Sequence, residues 1–246
     1  MRVCFPARTM RFFSQSLLAA ALLFLGGCAT PSNIQQIDRL EAVGEDPRII
    51  LMPPDIRYYL LTAGGVAEPN AEWTEAAQSN FLDATMEYAE SIGADIKAID
   101  KTDLSQEEIR YETLHAAVGL TVMQNYFGLM KLPSKAETFD WSLGPAISLI
   151  GKNHDADYAL FVHYRDYQAS GGRVAFSILA ALATGVAAPM GAEQGFASLV
   201  DLSTGNIVWF NMVTAGSGEL RDKEGAVTAV RGLFKDIPTR DGLGES

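Results

Sequence analysis

The 246-residue chain holds two cysteines, Cys4 and Cys28, and both fall within its first 28 residues. Everything beyond Cys28 must therefore fold without a disulfide, a zinc–thiolate site or a cysteine nucleophile. Stability has to come from a hydrophobic core. The 219 residues from Cys28 onward are enough for one, since a chain of that length buries roughly 70–75% of the surface it exposes when unfolded. A single domain is the expectation.

The first 27 residues have the three parts of an export signal. Arg2, Arg8 and Arg11 give a basic start without an acid, Leu17–Leu25 is an uncharged apolar run of nine, and Gly26 and Gly27 are small. Nine residues rise only ~14 Å as a helix, far short of the ~30 Å hydrocarbon layer, so the run is a leader and not a lasting span. Leu25-Gly26-Gly27-Cys28 resembles the bacterial lipobox. There the cysteine thiol takes a diacylglyceryl group and a peptidase cuts before it, here between Gly27 and Cys28. Ala29 is not the Asp that retains such proteins at the inner membrane in the enterobacterial pattern. The resemblance thus points to the outer membrane, with the body facing the periplasm. Each buried methylene adds ~0.8 kcal/mol, so two or more acyl chains make a stable anchor.

Three of the 19 basic residues and none of the 30 acids precede Cys28, so removing residues 1–27 takes the net charge from -11 to -14. A body this acidic is a poor ligand for nucleic acid, whose binding rests on Lys and Arg neutralising phosphates. It is equally unsuited to holding anionic headgroups through a basic patch.

Along the chain, residues 28–47 read as a lipidated polar tether, 48–238 as a globular domain and 239–246 as a flexible tail. Ile49-Ile50-Leu51 starts a strand that Pro53 and Pro54 interrupt or confine to an edge. Asn70 caps a helix whose inward stripe is Trp73, Ala77, Phe81, Ala84, Tyr88 and Ile92, ended by Gly93. A short strand spans 94–100. Ser105 and Glu108 form a capping box opening a helix to about Phe127, with Ile109, Leu114, Val118, Val122 and Tyr126 inward. A third helix covers 143–153, a strand 156–168, a hairpin 193–213 with Gly205 at a left-handed turn position, and a last helix 222–236. These predict an α/β fold: a mixed, mostly antiparallel sheet covered by helices, in one domain behind a lipoprotein signal peptide.

That element order resembles a group of bacterial envelope lipoproteins. The likeness is carried by Ala156-Asp157-Tyr158-Ala159-Leu160 and by a hairpin with Leu199, Val200, Asp201, Leu202, Thr204, Gly205 and Trp209. The group includes the curli-secretion channel lipoprotein and the outer-membrane activator of penicillin-binding proteins. It shares an α/β sandwich similar to the amino-terminal domain of TolB. The resemblance implies that fold and a role in envelope assembly or secretion. Met52-Pro53-Pro54 departs from the group's usual opening strand.

No HExxH, GxSxG or GxxxxGK[ST] motif is present. His154, Asp155 and Asp157 share a helix-to-strand junction, where a metal would need three side chains turned together; a solvated junction is the expectation. Ser217 in Gly216-Ser217-Gly218 has the wrong spacing for a nucleophile elbow and reads as a turn. Tyr58, Tyr59 and Trp73 are weighed as a stacking platform for glycan, against ordinary packing. Neither cofactor nor metal is expected.

The most unusual stretch is Val174–Ala192, nineteen residues without a charge. Three readings stand: a helix buried on the sheet, a surface for a partner or a second copy, and a membrane contact. Phe176, Ile178, Leu179, Leu182 and Val186 are its candidate partner surface, and the edge near Pro53 and Pro54 is a second. The expected function is a non-catalytic, lipid-anchored binding or assembly subunit of an envelope system, joined to a protein partner or to copies of itself. An enzyme acting on wall or lipid and a subunit of an outer-membrane secretion pore are the alternatives.

Overall fold

Tyr158–Ala169 (YALFVHYRDYQA) is a twelve-residue strand without glycine or proline, buried through its first seven positions, and the sheet is built around it. The computed structural model describes residues 33–41, 46–128, 131–135, 138–214, 216 and 218–244. In chain order the elements are β1 (Asn33–Gln35), β2 (Ile49–Leu51), β3 (Asp55–Leu61), β4 (Ala67–Pro69), α1 (Ala71–Ser91), β5 (Ile96–Ala98), α2 (Gln106–Tyr126), α3 (Ser148–His154), β6 (Tyr158–Ala169), α4 (Gly171–Thr184), β7 (Gly191–Asp201), β8 (Ile207–Thr214), α5 (Lys223–Leu233), β9 (Pro238–Thr239) and β10 (Gly242–Leu243). They belong to one compact unit, Ser32–Ser246.

The sheet runs β1-β8-β7-β6-β2-β5, with β3 also on β6 and β4 on β3. β6, β7, β8 and β1 are successively antiparallel, while β2 and β3 lie parallel to β6. The fold is therefore α/β with a mixed sheet, as the sequence predicts.

Pro53 and Pro54 mark a bulge. Leu51 pairs with Leu160 and Asp55 with His163, so three residues of the outer strand oppose two of β6. One surplus residue inverts the alternation of side chains. Ile49 and Leu51 consequently share a core with Ile56 and Tyr58, whereas Ile50 and Met52 face the other side.

Helices cover both faces. On one, Ala77, Phe81, Ala84 and Tyr88 of α1 and Ala226, Ala229, Val230 and Leu233 of α5 pack on Leu160, Val162, Leu199 and Trp209. On the other, Tyr111 and Val122 of α2 and Ile150 of α3 meet Ala159, Phe161, Phe196 and Phe210. The caps are where local chemistry puts them. Asn70 accepts from the Trp73 amide, and Ser105 and Glu108 close a capping box. Gly205 turns the β7–β8 hairpin at φ 80°.

Three expectations are corrected. Part of the anticipated 28–47 tether belongs to the body: Asn33–Gln35 pairs with Trp209–Asn211, and Leu40 is buried, its amide bonded to the Thr239 carbonyl. Residues 28–32 and 42–45 lie outside the described residues. Of the supposed 239–246 tail, Thr239 and Gly242–Leu243 belong to the β9–β10 hairpin, with Thr239 buried, and residues 245–246 lie outside the described residues. Finally, the expected α2 stripe departs at Leu114, while Val122 is fully buried and Ile109, Val118 and Tyr126 pack partly buried against the core as expected. Leu114 is 40% exposed, and the buried positions are Glu108, Tyr111, His115, Gly119, Val122, Met123 and Asn125.

Candidate functional site

Between β6 and β7 the chain leaves the sheet as α4. Ser170 caps it, accepting from the Arg173 amide at 3.1 Å, and Gly185 ends it at φ 76°. A helix lying on a protein surface normally turns its large apolar side chains inward. This one is inverted. Its buried position is Ser177, whose hydroxyl donates to the Ala188 carbonyl at 2.8 Å, and Ala180 and Ala181 flank it half-buried. Phe176, Ile178, Leu179 and Leu182 point outward at 49, 55, 65 and 80% exposure, and Val186 follows at 69%. The reading as a helix buried on the sheet is thereby overturned: small residues occupy the contact, and the large ones are left over. Arg173 braces the base, its guanidinium 5.7 Å over the Phe176 ring and its Nε donating to the Pro189 carbonyl at 2.9 Å. Gly65, in the β3–β4 turn, lies against the same guanidinium, and exposed Val66 extends the apolar surface.

The second candidate surface is a groove of about 630 Å³ along the outer edge of β3, lined by Pro53, Pro54, Arg57, Gln78, Lys101 and Glu112 among others. β4 covers β3 only at Tyr59–Leu61. Upstream, α1 satisfies the edge with side chains. The Tyr58 amide donates to Thr74 Oγ1 at 3.0 Å, and Gln78 Nε2 donates to the Ile56 carbonyl at 3.2 Å. Prolines offer no N–H, so the edge gives an added strand little to pair with. A visitor here would meet side chains. Glu112 has one oxygen 3.5 Å from Lys101 and the other buried without a partner, and burial pushes its carboxyl above the usual range.

At the groove's inner end, Asp55 receives Arg165 Nη2 at 2.6 Å and stands 3.0 Å from His163 Nδ1. Burial pushes its carboxyl up, but the His163 and Arg165 hydrogen bonds outweigh that and hold it well below the usual range. Deeper still, His115 Nε2 lies 2.9 Å from Ser198 Oγ, and both residues are buried. Burial drives His115 down to about 3, so it is a neutral core histidine. The serine–histidine contact is sealed under α2 and meets no groove.

The junction histidine and acids turn to separate partners. His154 Nε2 is 3.0 Å from Glu108, whereas Asp155 and Asp157 both pair with Arg48. Among the described residues no group of three or more His, Cys, Asp or Glu is arranged to hold a metal ion. Nor do Tyr58, Tyr59 and Trp73 share a platform. Tyr58 is core and donates to Glu219 at 3.0 Å, Tyr59 stacks on Tyr167 at 4.8 Å, and Trp73 lies under the Arg221 guanidinium. Gly27, Cys28 and Ser217 are outside the described residues.

Sequence reasoning missed the role of Thr74 and Gln78. The signal was there: two polar residues one helical turn apart, bordering the stripe of Ala77 and Phe81. It also missed Asp166, which is buried beside Glu219 and Glu193. Burial, opposed by the Gln168 amide, raises its carboxyl to about 6.

No protein-family model matches the chain, and no curated protein sequence does. Among solved structures, a PelC dodecamer from Paraburkholderia phytofirmans aligns at 10% identity over 82% of this chain and 94% of that one, TM-score 0.36. Lipoprotein GNA1162 from Neisseria meningitidis aligns at 15% identity over 68% and 81%, TM-score 0.30. The LpoB C-terminal domain from Salmonella enterica aligns at 15% over 70% and 85%, TM-score 0.26.

Proposed function

We propose that this chain is a lipid-anchored, non-catalytic binding or assembly subunit of a bacterial envelope system, held by Cys28 on the outer membrane and facing the periplasm. The observation that carries this reading is the outward face of α4. Phe176, Ile178, Leu179 and Leu182 stand exposed on a helix whose one charge is Arg173 at its base, while the same helix turns Ser177 and alanines to its own body. A contiguous apolar surface of that kind marks a contact. The lipobox-like Leu25-Gly26-Gly27-Cys28 supports the location. Of the acids that line the groove, Asp55 is held by Arg165 and His163 and Glu112 stands 3.5 Å from Lys101, while His115 lies in the core; an acid committed to a cation favours docking over catalysis.

The test has two parts. Mass spectrometry of the protein purified from membranes should show a chain beginning at Cys28 with acyl chains attached. Photo-crosslinkers placed at Phe176 and Leu182 in cells should give discrete products, of protein or of lipid. A bare Cys28, together with α4 positions that label only with water, would refute the proposal.

A further inference from the structure

Resting on the proposed lipidation of Cys28, we infer that the outward face of α4 is a second membrane contact, lying in the surface of the same bilayer that holds the lipid.

The length and direction of the anchor support this. Five peptide steps separate Cys28 from Asn33, the first residue of β1, and five extended residues span at most ~18 Å. β1 runs antiparallel to β8, with Asn33 opposite Asn211 and Gln35 opposite Trp209. Traced backward from Asn33, the chain therefore leaves in the direction in which β8 runs, toward Thr214. Asn211 is level with Ala197, and Ala197 with Val162. Beyond Val162, β6 continues in that same direction to Ala169, and α4 begins at Gly171. The exit direction of β1 and the short reach to Cys28 thus favour an anchor on the side of the body toward which β6 runs and where α4 begins.

The chemistry of α4 agrees. Its fourteen residues make a helix of ~21 Å, short of the ~30 Å needed to cross. Among the described residues no helix is long and apolar enough to span a membrane. A helix that cannot span and keeps one apolar face free is suited to the interface, where such a face sits ~5–10 Å into the headgroup and acyl boundary. Arg173 and Glu193 bracket the uncharged stretch, and the one cation of α4, Arg173, sits at its base over the Phe176 ring, away from Leu179 and Leu182. With the body at -14 after cleavage, anionic headgroups offer it no attraction, so the contact is apolar and insensitive to salt. Two contacts at one end hold the strands pointing away from the bilayer and leave the β3 groove open to an envelope partner.

The mature chain has no free thiol, so Leu182→Cys places a single one on α4. The full lipidated protein bearing it is labelled with the environment-sensitive dye NBD. It is then reconstituted in phosphatidylethanolamine–phosphatidylglycerol vesicles with brominated acyl chains. Lys152→Cys, on α3 at the other end of β6, is the control. Both proteins should float with the vesicles. The label at 182 should shift to the blue and lose fluorescence to the bromines, at low and at high salt, while the label at 152 does neither. Adding Leu179→Glu should abolish the quenching at 182 and leave flotation unchanged. A label at 182 as water-exposed as that at 152, in protein that floats, overturns the inference and spares the anchor. A label that is shielded yet unquenched overturns it in favour of a second copy or a protein. A chain that does not float and shows a bare Cys28 overturns the anchor and this inference together.

Discussion

Two glycines in helices should respond to alanine with opposite signs. Gly119 sits in the middle of α2, where a Cβ would fall on the ring of Phe196, well inside contact distance. That ring has no room to turn. It is fully buried, with His163 stacked at 4.9 Å, Phe210 at 5.5 Å and His115 at 5.3 Å. Alanine gains ~1 kcal/mol over glycine in a helix interior. Overpacking a tight core costs ~1–3 kcal/mol, and a boxed aromatic ring belongs at the upper end. Gly119→Ala should therefore lose ~2 kcal/mol net, by that difference, a fall in melting temperature of ~4–8 °C for a body of this size. Gly232 in α5 provides the contrast, since a Cβ there meets only Val213 Cγ1 at 3.8 Å. With no clash to offset the helical gain, Gly232→Ala should be stabilised by ~0.5–1 kcal/mol. Urea midpoints of both variants in detergent, with unchanged m-values, measure the pair. If Gly119→Ala matches or exceeds the parent, α2 is not seated on β7 as described, and the burial of His115 argued from it also fails.

Two carboxylates should give pH dependences of opposite slope. Asp166 has its folded value raised to about 6, mainly by burial, so ionising it costs stability. It is protonated in both states below pH ~4, and the cost grows between pH ~4 and ~6 and is constant above, reaching at most ~3 kcal/mol. Asp166→Asn should accordingly be more stable than the parent at pH ~7 and gain nothing at pH ~4; an equal gain at both would show that ionisation is not the cause. Asp55 is shifted the other way. Its ionised form is held by Arg165 and His163 against burial, so its contribution is present above the usual carboxylate range and lost as pH falls through the depressed value. Asp55→Asn should cost ~1–3 kcal/mol at pH ~7, with a smaller gap from the parent at pH ~3. A gap independent of pH would place the effect in packing, not charge.

What the sequence made legible was local. The Asn70 cap, the Ser105–Glu108 box, the α1 stripe and the Gly205 turn depend on residues a few positions apart, and all are found. The face of α2 was legible in part: Val122 is buried, and Ile109, Val118 and Tyr126 pack against the core as expected. The same stripe put Leu114 inward, but the packed line passes through His115 and Gly119, where Phe196 takes the space a side chain would fill. The bulge at Pro53 and Pro54 escaped for a related reason. A surplus residue is defined only against β6, the partner it slips past.

The candidate site raises a different difficulty. Hydrophobic periodicity finds the buried side of a helix by contrasting apolar with polar residues, and α4 contains almost no such contrast. What does alternate around it is size. Ser177, Ala180 and Ala181 lie together on one side, and Phe176, Ile178, Leu179 and Leu182 on the other. A core-facing helix would place the large group against the sheet, where each buried leucine or phenylalanine contributes ~1.5–3 kcal/mol. Setting alanines there forgoes that stabilisation and leaves the apolar face to be covered from outside. In a helix with so little polar contrast, then, the side bearing the small residues identifies the body, and the side bearing the large ones identifies whatever the body is built to meet.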